Sequence, residues 1–80
     1  MDTTSNELTA RISLMQANTF IEKAEKLEEC VYRTTLEMLA LDEASLAMRI
    51  ATDFSYNNCI LYAEASAMIG YIYFRVKTPS

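Results

Sequence analysis

Apolar residues recur along this chain at helical spacing. Leu8, Ile12 and Met15 are separated by four and three positions, and Phe20, Ala24, Leu27, Val31 and Met38 make a second row of the same period. At about 100° per residue the two rows are offset by roughly 120°, with Asn18 and Thr19 at the changeover. Thr4-Ser5-Asn6-Glu7 reads as a capping box, with Thr4 as N-cap and Glu7 at N3, and Thr19-Phe20-Ile21-Glu22 is a second one. The changeover allows a kink near residue 18, but no Gly or Pro interrupts the pattern, so one continuous helix over about residues 6–39 is the favoured expectation.

A second helix is expected over about residues 43–76. Leu61, Ala65, Met68 and Ile72 form one row, which Leu46, Ile50 and Phe54 extend backwards. Tyr56, Ile60, Ala63, Ala67, Tyr71 and Phe74 form another, centred roughly 130° away. Ala40-Leu41-Asp42-Glu43 is the favoured turn, with Asp42 as N-cap and Glu43 at the positive end of the next helix. Thr52-Asp53-Phe54-Ser55 is the alternative. A turn at 40–43 gives an antiparallel αα-hairpin of two helices about 50 Å long. A break at 52–55 gives a three-helix bundle instead. Either way the chain is all-α, a single helical domain over 1–80 with a frayed tail at 77–80. Tyr71–Val76 is rich in strand formers, but a lone strand has nothing in this chain to pair with.

A hairpin buries one row of each helix against the other. Leu27, Val31, Met38, Leu61, Ala65, Met68 and Ile72 are the expected hairpin core. The second row on the second helix is then left over, and near residues 68–76 the helix is apolar almost all round. Such a helix is normally covered on every side, which 80 residues cannot supply alone. Tyr56, Ile60, Ala63, Ala67, Tyr71 and Phe74 are therefore expected to meet a partner: a protein, a second copy or a membrane surface. Ala63-x-x-x-Ala67 and Ser66-x-x-x-Gly70 let another backbone come close, and Tyr62, Tyr71 and Tyr73 add amphipathic rings of the kind found at interfaces.

Composition narrows the chemistry. The chain has one Gly, one Pro, no His and no Trp. That leaves no material for a Gly-rich phosphate loop or a His-based catalytic or zinc site. Residues 1–45 carry nine acids and four bases (−5), and residues 46–80 carry two acids and three bases (+1), which together give the net −4. Binding to nucleic acid needs clustered Lys and Arg, and only Arg75 and Lys77 lie close together. No metal or cofactor is expected, and no enzyme activity: Arg11, Arg33, Arg49 and Arg75 share no spacing, and Asp53, Asn57 and Glu64 flank the apolar rows as a polar rim. Glu22, Lys23, Glu25, Lys26, Glu28 and Glu29 read as a solvated face, with Glu22 and Lys26 in the favourable i,i+4 order. The opening residues are polar and acidic rather than basic then apolar, so the expected setting is a reducing cytoplasm with Cys30 and Cys59 free. A Cys30–Cys59 bridge stays open as an alternative, since a turn near 44 puts both at one height. The apolar run 59–74 is shorter than the ~20 residues of a membrane span and contains Glu64.

Met68-Ile69-Gly70-Tyr71-Ile72-Tyr73-Phe74-Arg75 resembles the end of the second helix in the small needle co-chaperones of bacterial type III secretion systems (YscE/SsaE-like). Leu8-Thr9 with Ile12 and Leu14 is similar to the opening of their first helix. One departure is that the second helix of that family often opens on Asp-Pro, whereas Asp42-Glu43-Ala44 has no Pro. The resemblance implies a helical hairpin that pairs with a larger helical-repeat chaperone and keeps a secreted needle subunit unpolymerised in the bacterial cytoplasm. On that reading Ile60, Ala67, Tyr71 and Phe74 face the repeat chaperone, and Ile69 and Tyr73 widen the contact. The alternative is a homo-oligomeric helical bundle, acting as a small regulator, an immunity protein or a phage-encoded inhibitor.

Overall fold

The computed structural model of the chain describes residues 3–28, 31–53 and 56–77, and side chains within 5–28, 31–53 and 56–76. These residues form three helices, α1 (Thr3–Glu25), α2 (Val31–Ala51) and α3 (Cys59–Lys77). Ala10 of α1 packs with Ala47 and Ala51 of α2 and with Leu61 and Ala65 of α3. Ala17 and Ile21 pack with Ala40 and Ala44 and with Ile72. The order of these contacts makes α1 and α2 antiparallel, α2 and α3 antiparallel, and α1 and α3 parallel. The molecule measures 41 × 18 × 14 Å, shorter than two 34-residue helices would make it.

Two of the expected boundaries are corrected. Residues 40–43 lie inside α2, where Ala40 is buried and Asp42 sits on the exposed face. Ala, Leu and Glu are strong helix formers, so an acidic pair on the water side does not interrupt the helix. The chain instead leaves the helix after Glu25, where Lys26 and Leu27 bond back three residues to the carbonyls of Lys23 and Ala24 (3.2 and 3.1 Å). Such tightening is common in a last helical turn. α1 runs unbroken through the changeover at Asn18. Thr19 does not cap a helix there: its hydroxyl donates back to the Met15 carbonyl at 3.0 Å. Thr4, expected as the N-cap, falls inside α1, which opens at Thr3, and its side chain lies outside the described ones; Cys30, Phe54 and Ser55 lie outside the described residues.

The break between α2 and α3 is built by two asparagines. Asn57 has φ of 47°, a left-handed conformation that Asn tolerates better than most residues. Asn58 is the N-cap of α3: its side-chain oxygen accepts from the Leu61 amide at 3.0 Å, while its carbonyl accepts the first intrahelical bond from Tyr62. The Asn58 amide donates to the Ala51 carbonyl at 2.9 Å, tying the start of α3 to the end of α2.

The core is made largely of alanine. Ala10, Ala17, Ala24, Ala40, Ala44, Ala47 and Ala65 are fully buried, and Leu61 and Ile72 are the largest side chains in that state. Small faces bring helix backbones close together, at the expense of apolar area removed from water. The buried face of α1 is therefore Ala10, Ser13, Ala17, Ile21 and Ala24, and the row Leu8, Ile12 and Met15 lies outside. Two further expectations are corrected on this ground. Val31 is 83% exposed and Met38 is exposed, so neither belongs to the core. Their row continues that of α1 beyond the helix end at Glu25, and α2 runs in another phase, with Leu36, Glu37, Ala40, Ala44, Ala47 and Ala51 inward.

Candidate functional site

α3 carries the expected partner face, and the structure divides it. Ile60, Ala63, Ala67 and Phe74 are exposed, with Ile60 and Phe74 each at 67%. Ile60, Ala67 and Phe74 recur every seven residues, about 10.5 Å apart, and so form one row. Tyr71 borders that row towards α1, and its hydroxyl donates to the Glu25 carboxylate at 2.9 Å. Ile69 and Tyr73 belong to the other flank: Ile69 is half-buried against the layer of Ala17 and Ile72, and Tyr73 is exposed. Tyr56 is half-buried against the Ala10 layer, and its hydroxyl accepts from the Asn58 amide group at 3.0 Å. Of the expected hairpin core, Leu61, Ala65 and Ile72 are buried, and Met68 and Leu27 are half-buried.

Gly70 lies among the exposed small residues. A Cβ added there would meet nothing within 4 Å, so no neighbour in this chain requires a glycine. Gly inside a helix is less favourable than Ala by roughly 0.5–1 kcal/mol. Its position on the outer side of α3 fits a surface that another backbone approaches closely.

The polar groups sort into two sets that have no counterpart in the linear spacing. At the end of the bundle near residue 26, Glu37 is 5% exposed. Its Oε2 lies 3.2 Å from Arg75 Nη2 and 3.6 Å from Arg33 Nε, and Arg75 Nη1 reaches Glu25 at 3.7 Å. The Arg75 guanidinium also stands 5.9 Å from the centre of the Tyr71 ring. Glu37 Oε2, Arg75 Nε and Arg75 Nη2 form no well-aligned hydrogen bond, so charge pairing rather than directed bonding joins these atoms of Arg75 and Glu37. The second set crosses the α1–α3 seam, where Arg11 pairs with Glu64 of α3 at 3.5 Å and with Glu7 of its own helix at 3.4 Å. Arg49 remains on the exposed side of α2.

Among the described residues, no group of three or more His, Cys, Asp or Glu could hold a metal ion, and no helix is long and apolar enough to cross a membrane. Cys59 is exposed with a free thiol. No family model, curated protein or solved structure matches the chain.

Proposed function

We propose that this protein is a non-enzymatic interaction module. Its role is that of a small secretion co-chaperone in the bacterial cytoplasm, which pairs with a helical-repeat chaperone to keep a needle subunit unpolymerised. One observation supports the interaction reading above all. Large apolar residues lie outside the bundle while alanine fills it, and on α3 they form a row from Ile60 to Phe74. A monomer built this way buries little of its own apolar surface. A partner helix laid along the row removes the rest from water by helix-in-groove packing. The co-chaperone role itself rests on the residues Met68–Arg75 and on the small, all-helical form of the chain.

The test is recovery of the tagged protein from its native host, with mass spectrometry of what comes with it. A helical-repeat protein together with a small secreted helical subunit is the expected result. Ala67→Asp and Phe74→Asp should abolish that recovery, and Lys23→Ala should preserve it. Recovery of the protein alone, at a constant multiple of its own mass, overturns the proposal in favour of a homo-oligomeric bundle.

A further inference from the structure

We infer that the seam between α1 and α3 is a groove for one amphipathic helix whose apolar row is edged on one side by Lys or Arg. The inference rests on the reading of α3 as a protein-binding face and goes further by stating the chemistry of the occupant. α3 supplies an apolar wall of Ile60, Ala67 and Phe74. α1 supplies the facing wall. Glu7, Arg11, Asn18, Glu22 and Glu25 follow one another at intervals of four, seven, four and three, which keeps them on one side of the helix. Two contacts fix that side towards α3: Arg11 with Glu64, and Glu25 with Tyr71 and Arg75. α1 and α3 touch each other less than either touches α2, so these two helices are the more widely spaced pair, and the polar contacts bridge the seam at both ends.

The two walls differ in character. Glu7, Glu25 and Glu64 keep nearly half of their side-chain surface in water, and Glu22 is exposed with its carboxylate accepting from Asn18 at 3.0 Å. Three of these carboxylates stand on α1 and the fourth, Glu64, on the edge of α3 that faces it, against one comparably exposed guanidinium, that of Arg11. Arg75 is turned inward to Glu37, with 12% of its side chain exposed, and Lys26 lies beyond the last residue of α1. An occupant that covers Ile60 to Phe74 brings its own edge against this acidic wall. Charges of the opposite sign there gain strength as the apolar row excludes water.

The chain's own helices do not meet this requirement. α3 between Ile60 and Phe74 carries one charged residue, Glu64, the outer row of α1 is flanked by Glu7 and Glu22 as well as Arg11 and Lys23, and α2 exposes one charge of each sign, Asp42 and Arg49. A second copy would therefore bring acid as well as base against the acidic wall, not an edge of Lys or Arg alone. An anionic lipid surface is repelled by that wall.

The experiment uses the whole protein and two labelled 18-residue synthetic helices. Both have a Leu/Ala row at positions spaced by three and four, and one is edged with Lys and Arg, the other with Glu. Fluorescence anisotropy at 50 and 300 mM NaCl gives the affinities, and amide chemical-shift changes locate the site. The basic-edged helix should bind at least tenfold more tightly than the acidic-edged one, and 300 mM salt should narrow that ratio. Glu22→Lys should weaken its binding several-fold with an unchanged circular dichroism spectrum, and the shifts should map to Glu7–Glu25 and Ile60–Phe74. Equal binding of the two helices overturns the inference while leaving α3 as an interface. Binding of neither, or shifts confined to the outer row of α1 or to α2, also overturns it. The reading of α3 as an interface fails separately, if Ala67→Asp leaves recovery of the host partner unchanged.

Discussion

The guanidinium of Arg75 lies 3.2 Å from the carboxylate of Glu37, joining α3 to α2 through two charges both withdrawn from solvent. Removing one member of a buried pair leaves the other uncompensated, at a cost of about 3–5 kcal/mol. Arg33 stays beside Glu37 at 3.6 Å, so Arg75→Met belongs at the low end of that range. For a domain of this size, about 3 kcal/mol corresponds to a melting temperature lower by at least about 12 °C. Thermal unfolding followed by circular dichroism measures it. An unchanged melting temperature would show that the pair contributes no net stability.

The alanine core makes the bundle sensitive to added volume in some places and not in others. Ala44 is fully buried and Ala63 is exposed. Ala44→Leu should destabilise by about 1–3 kcal/mol through overpacking, whereas Ala63→Leu should stay within about 0.5 kcal/mol of the parent. Urea titration of both variants tests the placement of the core, and equal effects would contradict it.

The asparagine pair should behave asymmetrically. Asn58→Ala removes the cap on the Leu61 amide and should cost about 1 kcal/mol, while Asn58→Gly should cost only a few tenths. Asn57 is held at φ of 47°, so Asn57→Gly should be neutral or slightly stabilising and Asn57→Val destabilising. The same urea series gives the four values, and a stable Asn57→Val variant would exclude the left-handed turn.

Gly70→Ala separates folding from binding. With open space around the added methyl, the free protein should gain about 0.5–1 kcal/mol from helix propensity. If a partner backbone approaches this part of α3, the same variant should bind it more weakly. Denaturant midpoints of the free protein and recovery of the host partner give the two readings, and a variant less stable than the parent would place Gly70 elsewhere than on an open face.

The helical class of the protein is legible in its hydrophobic period. In α3 that period also places Leu61, Ala65 and Ile72 on a common face, the one that is buried. The break after Glu25 is not legible, because Lys26, Leu27 and Glu28 are ordinary helix-forming residues and no Gly, Pro or Asn marks the exit. The start of α3 is marked, by Asn57-Asn58, but an asparagine beside an apolar row reads equally well as surface. The pattern points Val31 and Met38 inward because large apolar side chains dominate any hydrophobicity pattern. Alanine carries little of that signal, yet it fills this core. Of the candidate surface, the row from Ile60 to Phe74 follows from spacing alone. The acidic wall does not, since Arg11 and Glu64 are brought together only when α1 and α3 lie parallel across the bundle.

Smooth alanine faces have a mechanical consequence. Their ridges are shallow, so they offer little steric resistance to one helix sliding along another. On α2 the smooth face is Ala40, Ala44, Ala47 and Ala51, and a slip of α3 by one turn, about 5.4 Å, would move Leu61 and Ile72 along a surface with few deep holes to hold them. It would carry Arg75 away from Glu37 at one end and pull the Asn58 amide off the Ala51 carbonyl at the other. The axial position of α3 is thus set by polar latches at its two ends together with the seating of Leu61 and Ile72 between them.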